Sequence, residues 1–306
     1  MDNNKKLNRF LQFELWKACN HGCKFCYNLG QKDFTDVKTN IKIINDKIKD
    51  FDSQKYSQLG IIGGEFFDKQ LEQFDVKYEF YSLVDTVIEK IKSNEIERFL
   101  VTTSLMYKDL SDILEFLNKF DEEKIINKLL ICTSWDSKFR FKDNEEEIWK
   151  NNIKVLKNRY SELKIHTEII ITDDFVTKCL ADKFNIDEFE KENSTYIDFI
   201  QPTVPYALDI TKVEFENSLP GFFPKRSNFL KLVGKWISEG YDLRDLLDIK
   251  NHSDDCYTLH LGKLQAIENR SDVEHYISPL RRADQVGYID SEKFMRKDVE
   301  LLIEEY

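Results

Sequence analysis

The chain has 306 residues, of which 41% are hydrophobic, with 23 Phe, 13 Tyr and a formal charge of −11. That length and aromatic content suffice for a sizeable core and exclude a disordered chain, while the negative charge repels phosphate backbones and makes nucleic acid an unlooked-for partner. No run approaches the roughly 20 apolar residues of a membrane helix, and the opening MDNNKKLNRF has no apolar core or small-residue cleavage site, so a cytoplasmic protein is expected.

In chain order, the first apolar run, at about residues 8–16, reads as a strand and is followed at once by Cys19, Cys23 and Cys26. Ile41, Ile44 and Ile48 then fall on one helical face, before a second strand at 57–62 that ends in Gly63-Gly64-Glu65. A helical stripe of Phe80, Val84, Val87, Ile88 and Ile91 leads to a third strand at 97–103. Leu110, Ile113, Leu114 and Leu117 mark the next helix, and the strand at 127–135 ends in Thr133-Ser134-Trp135-Asp136. Trp149, Ile153 and Leu156 precede a fifth strand at 163–171. A weaker helical connection at 176–192 leads to a sixth at 195–203, and Phe229, Val233, Trp236 and Ile237 suggest a helix beyond it.

Strands alternating with helices imply parallel pairing through right-handed crossovers. The expected fold class is α/β: a partial (β/α)6 barrel of TIM type over residues 1–210, with residues 211–306 as a capping extension. In that extension a hairpin turning near Gly262 and a helix after Asp290 are expected. Loops after the strand C-termini form the active face of such folds. Alternation sets Gln12, Glu14, His166 and Glu168 opposite their apolar neighbours, so His166, Glu168 and Asp198 are the candidate catalytic, substrate-contacting residues of the cavity. A one-residue shift in register would put them outside it.

Three of the six cysteines lie within eight positions, a pattern that in a reducing compartment signals metal binding more than disulfides. A cubane iron-sulfur cluster normally takes four thiolates, so three would leave one iron open, the mark of a catalytic site. The alternative is a zinc site completed by His21 or the distant Cys256, although no second Cys or His pair stands at zinc-finger spacing.

The Cys-x3-Cys-x2-Cys spacing, with Phe25 before the third cysteine and Gly63-Gly64-Glu65 ending the second strand, resembles the radical S-adenosylmethionine (SAM) superfamily. The resemblance spans roughly residues 8–205. It implies a 4Fe-4S cluster on Cys19, Cys23 and Cys26, SAM as second cofactor, and reductive cleavage to a 5′-deoxyadenosyl radical that takes hydrogen from a peptide or small-molecule substrate. It further implies SAM contacts from Phe25, Gly63, Gly64 and Glu65, from Ser134 and Asp136 near the ribose, and from Ile169 and Ile171 beside the adenine. A turn cap is the competing role for Asp136. An electron donor of flavodoxin or ferredoxin type is the implied partner. Relatives often follow Gly-Gly-Glu with Pro, where this chain has Phe66. Cys256 has no second cysteine nearby to open an auxiliary cluster module. An electron-transfer or regulatory iron-sulfur protein without turnover is the alternative function.

Overall fold

The computed structural model describes residues 10–24, 26, 36–54, 56–200, 212–240, 258–260 and 273–276. Strands β1 (Phe10–Glu14), β2 (Gln58–Ile62), β3 (Arg98–Thr102), β4 (Leu129–Trp135), β5 (Lys164–Ile170) and β6 (Tyr196–Ile200) pair in sequence order, every pair parallel. Each lies inside the apolar run that predicted it, because strands buried in a parallel sheet read as continuous hydrophobic stretches. Two short strands extend the edges: β7 (Thr258–His260) antiparallel to β6, and β8 (Val273–Tyr276) parallel to β1.

One face of the sheet carries the row Phe13, Ile61, Val101, Ile131 and Ile165, all buried in the main core. Helices α1 (Val37–Lys49), α3 (Lys77–Lys92), α4 (Ser111–Glu122) and α5 (Glu145–Arg159) contribute their apolar stripes to the same core; the single turn α2 (Gln70–Gln73) adds Leu71. The opposite, inner face is more polar. There Thr102, Cys132, His166 and Tyr196 stand in register, and Ser134, Glu168 and Asp198 form the next row toward the strand C-termini. Alternation along the strands produces this division.

The weak pattern at 176–192 is two short helices, α6 (Asp173–Leu180) and α7 (Ile186–Asn193). Thr172 caps the first by accepting from Phe175 N, and Asn185 caps the second by accepting from Glu188 N. Between them Asp182 turns into the left-handed region at φ 56°. The bend lets Phe175, Phe184 and Phe189 gather around Trp135, with Phe184 5.5 Å from the Trp135 ring.

Past β6, α8 (Lys212–Ser218) supplies Phe215, which packs with Leu219 and Phe222 on Ile170, a cluster separate from the main core. Helix α9 (Arg226–Ser238) instead buries Phe229, Leu232, Val233 and Trp236 in the main core, and Lys235 Nζ donates to Cys179 O of α6 at 2.6 Å. The described part of the expected capping extension, residues 212–240, thus packs on the body formed by the strands and helices before it. Thr258–His260 pairs with β6, while Cys256, Gly262 and the helix expected after Asp290 fall outside the described residues. No helix among the described residues is long and apolar enough to cross a membrane.

Candidate functional site

The loop leaving β1 continues to pair with the loop leaving β2. Leu15 N donates to Ile62 O at 3.0 Å, Gly64 N to Trp16 O at 2.8 Å and Glu65 N to Ala18 O at 3.0 Å. Trp16 Nε1 adds a bond to Glu65 O at 2.9 Å. The approach is so close that a Cβ on Gly63 would meet Trp16 O at 2.2 Å, and one on Gly64 would meet Ala18 O at 1.7 Å. These glycines serve first to seat one backbone against another. Cys19 follows immediately where the pairing ends.

Glu65 is fully buried beneath this junction. Its Oε1 accepts from Phe66 N, Phe67 N and the Thr103 hydroxyl at 2.8, 3.1 and 2.7 Å, and its Oε2 from Ser104 N at 2.7 Å. Oε1 is thus filled by the protein itself, leaving Oε2 as the oxygen with capacity for a further donor. The departure from Pro after this glutamate has a physical reason, since Pro has no amide hydrogen to give Oε1. Phe66 and Phe67 also drive the loop into the core, with Phe67 5.1 Å from Phe116 and Phe66 4.9 Å from Trp16.

Cys19 is exposed, Cys26 is half-buried, and Cys23 is half-buried against the main core; all three are free of disulfides. Cys26 N donates to Cys23 O at 3.1 Å, folding that part of the loop into a turn. Among the described residues no three His, Cys, Asp or Glu side chains are gathered closely enough to hold a metal ion. Although the Cys19 residue is open to solvent, the surrounding loop desolvates its sulfur and pushes the thiol up to about 12. The His21 amide opposes this, and the charges of Glu65, Cys23 and Cys26 add to it. Bonding to iron overrides such a shift, because a metal holds its thiol deprotonated. Three thiols outside any disulfide, on one anchored loop, are the donor set of a cluster held by three thiolates. His21, the candidate fourth ligand of a zinc site, has its Nε2 engaged with Ser104 Oγ at 2.7 Å.

The remaining expected site residues divide. Ser134 and Glu168 are half-buried neighbours on the inner face and share their row with Asp198. His166 sits one row below, buried, with Nδ1 4.0 Å from Cys132 Sγ. Ile169 and Ile171 face the other way: both belong to the helix-side core, and Ile170 is the residue that packs on the inner side. Their side chains thus lie in the helix-side core. Phe25 lies outside the described residues.

Asp136 is buried at the end of β4, where Oδ1 accepts from the amides of Lys138 and Phe139 in a turn cap. Its Oδ2 has no hydrogen-bond partner, and desolvation raises its carboxyl above the usual range, against the pull of nearby amides and Arg140. Arg140, which no sequence motif marks, is buried beside it; it reaches Ser104 O through Nη2 and leaves Nε without a partner. An unpartnered acceptor and an unpartnered donor thus flank the loop end of β4.

Residues 9–156, just under half of the chain, match the family described as the 4Fe-4S single cluster domain, a span that includes the three cysteines, the Gly-Gly-Glu turn and all of β4. No curated protein matches. Among solved structures, Streptococcus suis SuiB bound to S-adenosylmethionine is similar over 77% of this chain and 48% of that one, at 13% identity and a TM-score of 0.47. A second structure of Streptococcus suis SuiB covers 77% and 47%, again at 13% identity, with a TM-score of 0.43. The chain spans about half the length of these structures.

Proposed function

We propose that this chain, whose residues 9–156 match the 4Fe-4S single cluster domain, is a radical SAM enzyme that abstracts hydrogen from a peptide or small-molecule substrate held on the inner face of its sheet. The observation that carries the reading is the backbone pairing of the cysteine loop with the Gly63-Gly64-Glu65 turn, in which Gly64 leaves no room for a Cβ. When bound, the cluster and SAM supply a one-electron reductive cleavage that ends in hydrogen-atom transfer.

The chain's own part is to hold and orient. Cys19, Cys23 and Cys26 supply the thiolates. Glu65 Oε2 is the acceptor for an ammonium group, while Asp136 Oδ2 and Arg140 Nε supply an acceptor for ribose hydroxyls and a donor for a carboxylate. Ser134, Gly63, Gly64, Phe25 and the backbone at Ile169 and Ile171 complete the cofactor set. His166 and Glu168 on β5, with Asp198 at the register position beside Glu168 on β6, are assigned to the substrate. A flavodoxin- or ferredoxin-type donor supplies the electron, and a reducing cytoplasm suits cysteines that form no disulfide.

Anaerobic reconstitution followed by reductant and SAM decides the matter. Wild-type protein should release 5′-deoxyadenosine and methionine, and Cys23→Ala should release neither. Arg140→Met should raise the SAM concentration needed for half-maximal cleavage while leaving iron content unchanged. Wild-type protein that fills with iron and sulfide yet leaves SAM intact would instead be an electron carrier, and the reading would fall.

A further inference from the structure

Between the first two cysteines stands His21, which is buried although Cys19 and Asn20 before it and Gly22 after it are exposed. A buried imidazole must be hydrogen-bonded. Its Nε2 meets Ser104 Oγ at 2.7 Å, and its carbonyl accepts from Lys142 Nζ at 3.1 Å. The loop after β1 is thereby held from two sides, by the turn after β3 and the turn after β4.

Ser104 is itself fixed with unusual thoroughness. Its N–H donates to Glu65 Oε2 at 2.7 Å, its hydroxyl oxygen accepts from Met106 N at 3.2 Å, and its carbonyl accepts from Thr133 Oγ1 at 3.0 Å and Arg140 Nη2 at 3.4 Å. The next residue, Leu105, is fully buried in the left-handed region at φ 55°, a conformation a leucine rarely adopts. Asn152 holds it there by donating to Leu105 O and Tyr107 O at 3.0 and 2.8 Å. Strain that the surroundings enforce this firmly marks a position with a task. Here the strained turn presents Ser104 to Glu65 and His21 together.

We propose that His21 is a positioning residue for the iron-sulfur cluster: through Ser104 and Lys142 it fixes the path of the Cys19–Cys23 segment before any iron arrives. The inference rests on the cluster assignment above for its consequence, but the latch itself belongs to the protein alone. Partners that orient the groups around a metal commonly change affinity by about 10- to 100-fold when removed.

Two measurements on the full chain test it. In the iron-free protein, hydrogen exchange of the amides from Cys19 to Lys24 should speed up about tenfold in His21→Ala and Ser104→Ala, the loss expected for one such bond. His21→Gln, whose amide reaches the same place as Nε2, should stay near wild type. In reconstituted protein challenged with an iron chelator, both alanine variants should lose iron about tenfold faster, with an altered electron paramagnetic resonance spectrum of the reduced cluster. His21→Gln should again be near wild type, and melting temperatures should be alike throughout. Alanine variants that match wild type in both measurements, or His21→Gln as defective as His21→Ala, would overturn the proposal. If wild-type protein takes up no iron, the proposed function falls, while the exchange measurement still decides the latch.

Discussion

A methyl group added at Gly64 would lie 1.7 Å from Ala18 O, with the Ala18 and Lys17 carbonyl carbons close behind. These are backbone atoms held by the Glu65 N to Ala18 O bond, so the side chain cannot be accommodated by a rotamer change. Gly64→Ala should destabilise the fold by about 1–3 kcal/mol and part the two loops; denaturant titration and iron content after reconstitution would show both effects. The cysteines and this glycine pair are legible in the sequence because their spacing is local. The reason for the glycines is not, since it depends on a backbone 45 or so residues earlier. Nor does anything in the sequence mark Ser104 or Arg140, or tie His21 to the turn after β3. The bond joining His21 to Ser104 spans 83 positions, and that joining Arg140 to Ser104 spans 36, so neither leaves a pattern within any window.

Among the elements, α1 is capped by Asp36, which accepts from Lys38 N, Thr39 N and the Thr39 hydroxyl. The Thr39 hydroxyl and amide hold its carboxyl below the usual range. Stabilisation from a depressed carboxylate is full above the unfolded value, near 3.9, and is lost as pH falls through the folded one. Asp36→Ala should therefore lower the melting temperature at neutral pH, and its gap from wild type should narrow on acidification below the ordinary carboxylate range. In α9, a Cβ on Gly234 would meet nothing within 4 Å, so Gly234→Ala should stabilise by about 0.4–1 kcal/mol. The six strands and the long helices are legible because each buries one repeating stripe. Two features are less legible for the opposite reason. The weaker connection is two helices of eight residues each, Asp173–Leu180 and Ile186–Asn193, too short for a sustained stripe. β5 is buried on both faces except at its half-buried Lys164 and Glu168, so alternation alone does not say which way Ile169 and Ile171 turn.

Across the whole molecule, the helical layer closes only when α9 returns to lie on α6, far along the chain from the strands it covers. Packing of that kind has no local sequence signature, so the pattern of strands alone does not say how tightly residues beyond 210 join the core. A chain ending at 210 should melt well below one ending at 240, and Trp236→Ala in the full chain should cost about 3–5 kcal/mol, both measurable by thermal unfolding followed by circular dichroism. The apolar commitment of the sheet is therefore lopsided: the rows through Val101 and Ile131 carry the scaffold, whereas Ser134 and Glu168 remain half-buried on the reverse. A surface that bears so little of the architecture can be rewritten. Exchanges at Glu168 should redirect which molecule is accepted while the folded framework and its iron-holding loop persist, so chemistry on this sheet can diversify without renegotiating the rest of the protein.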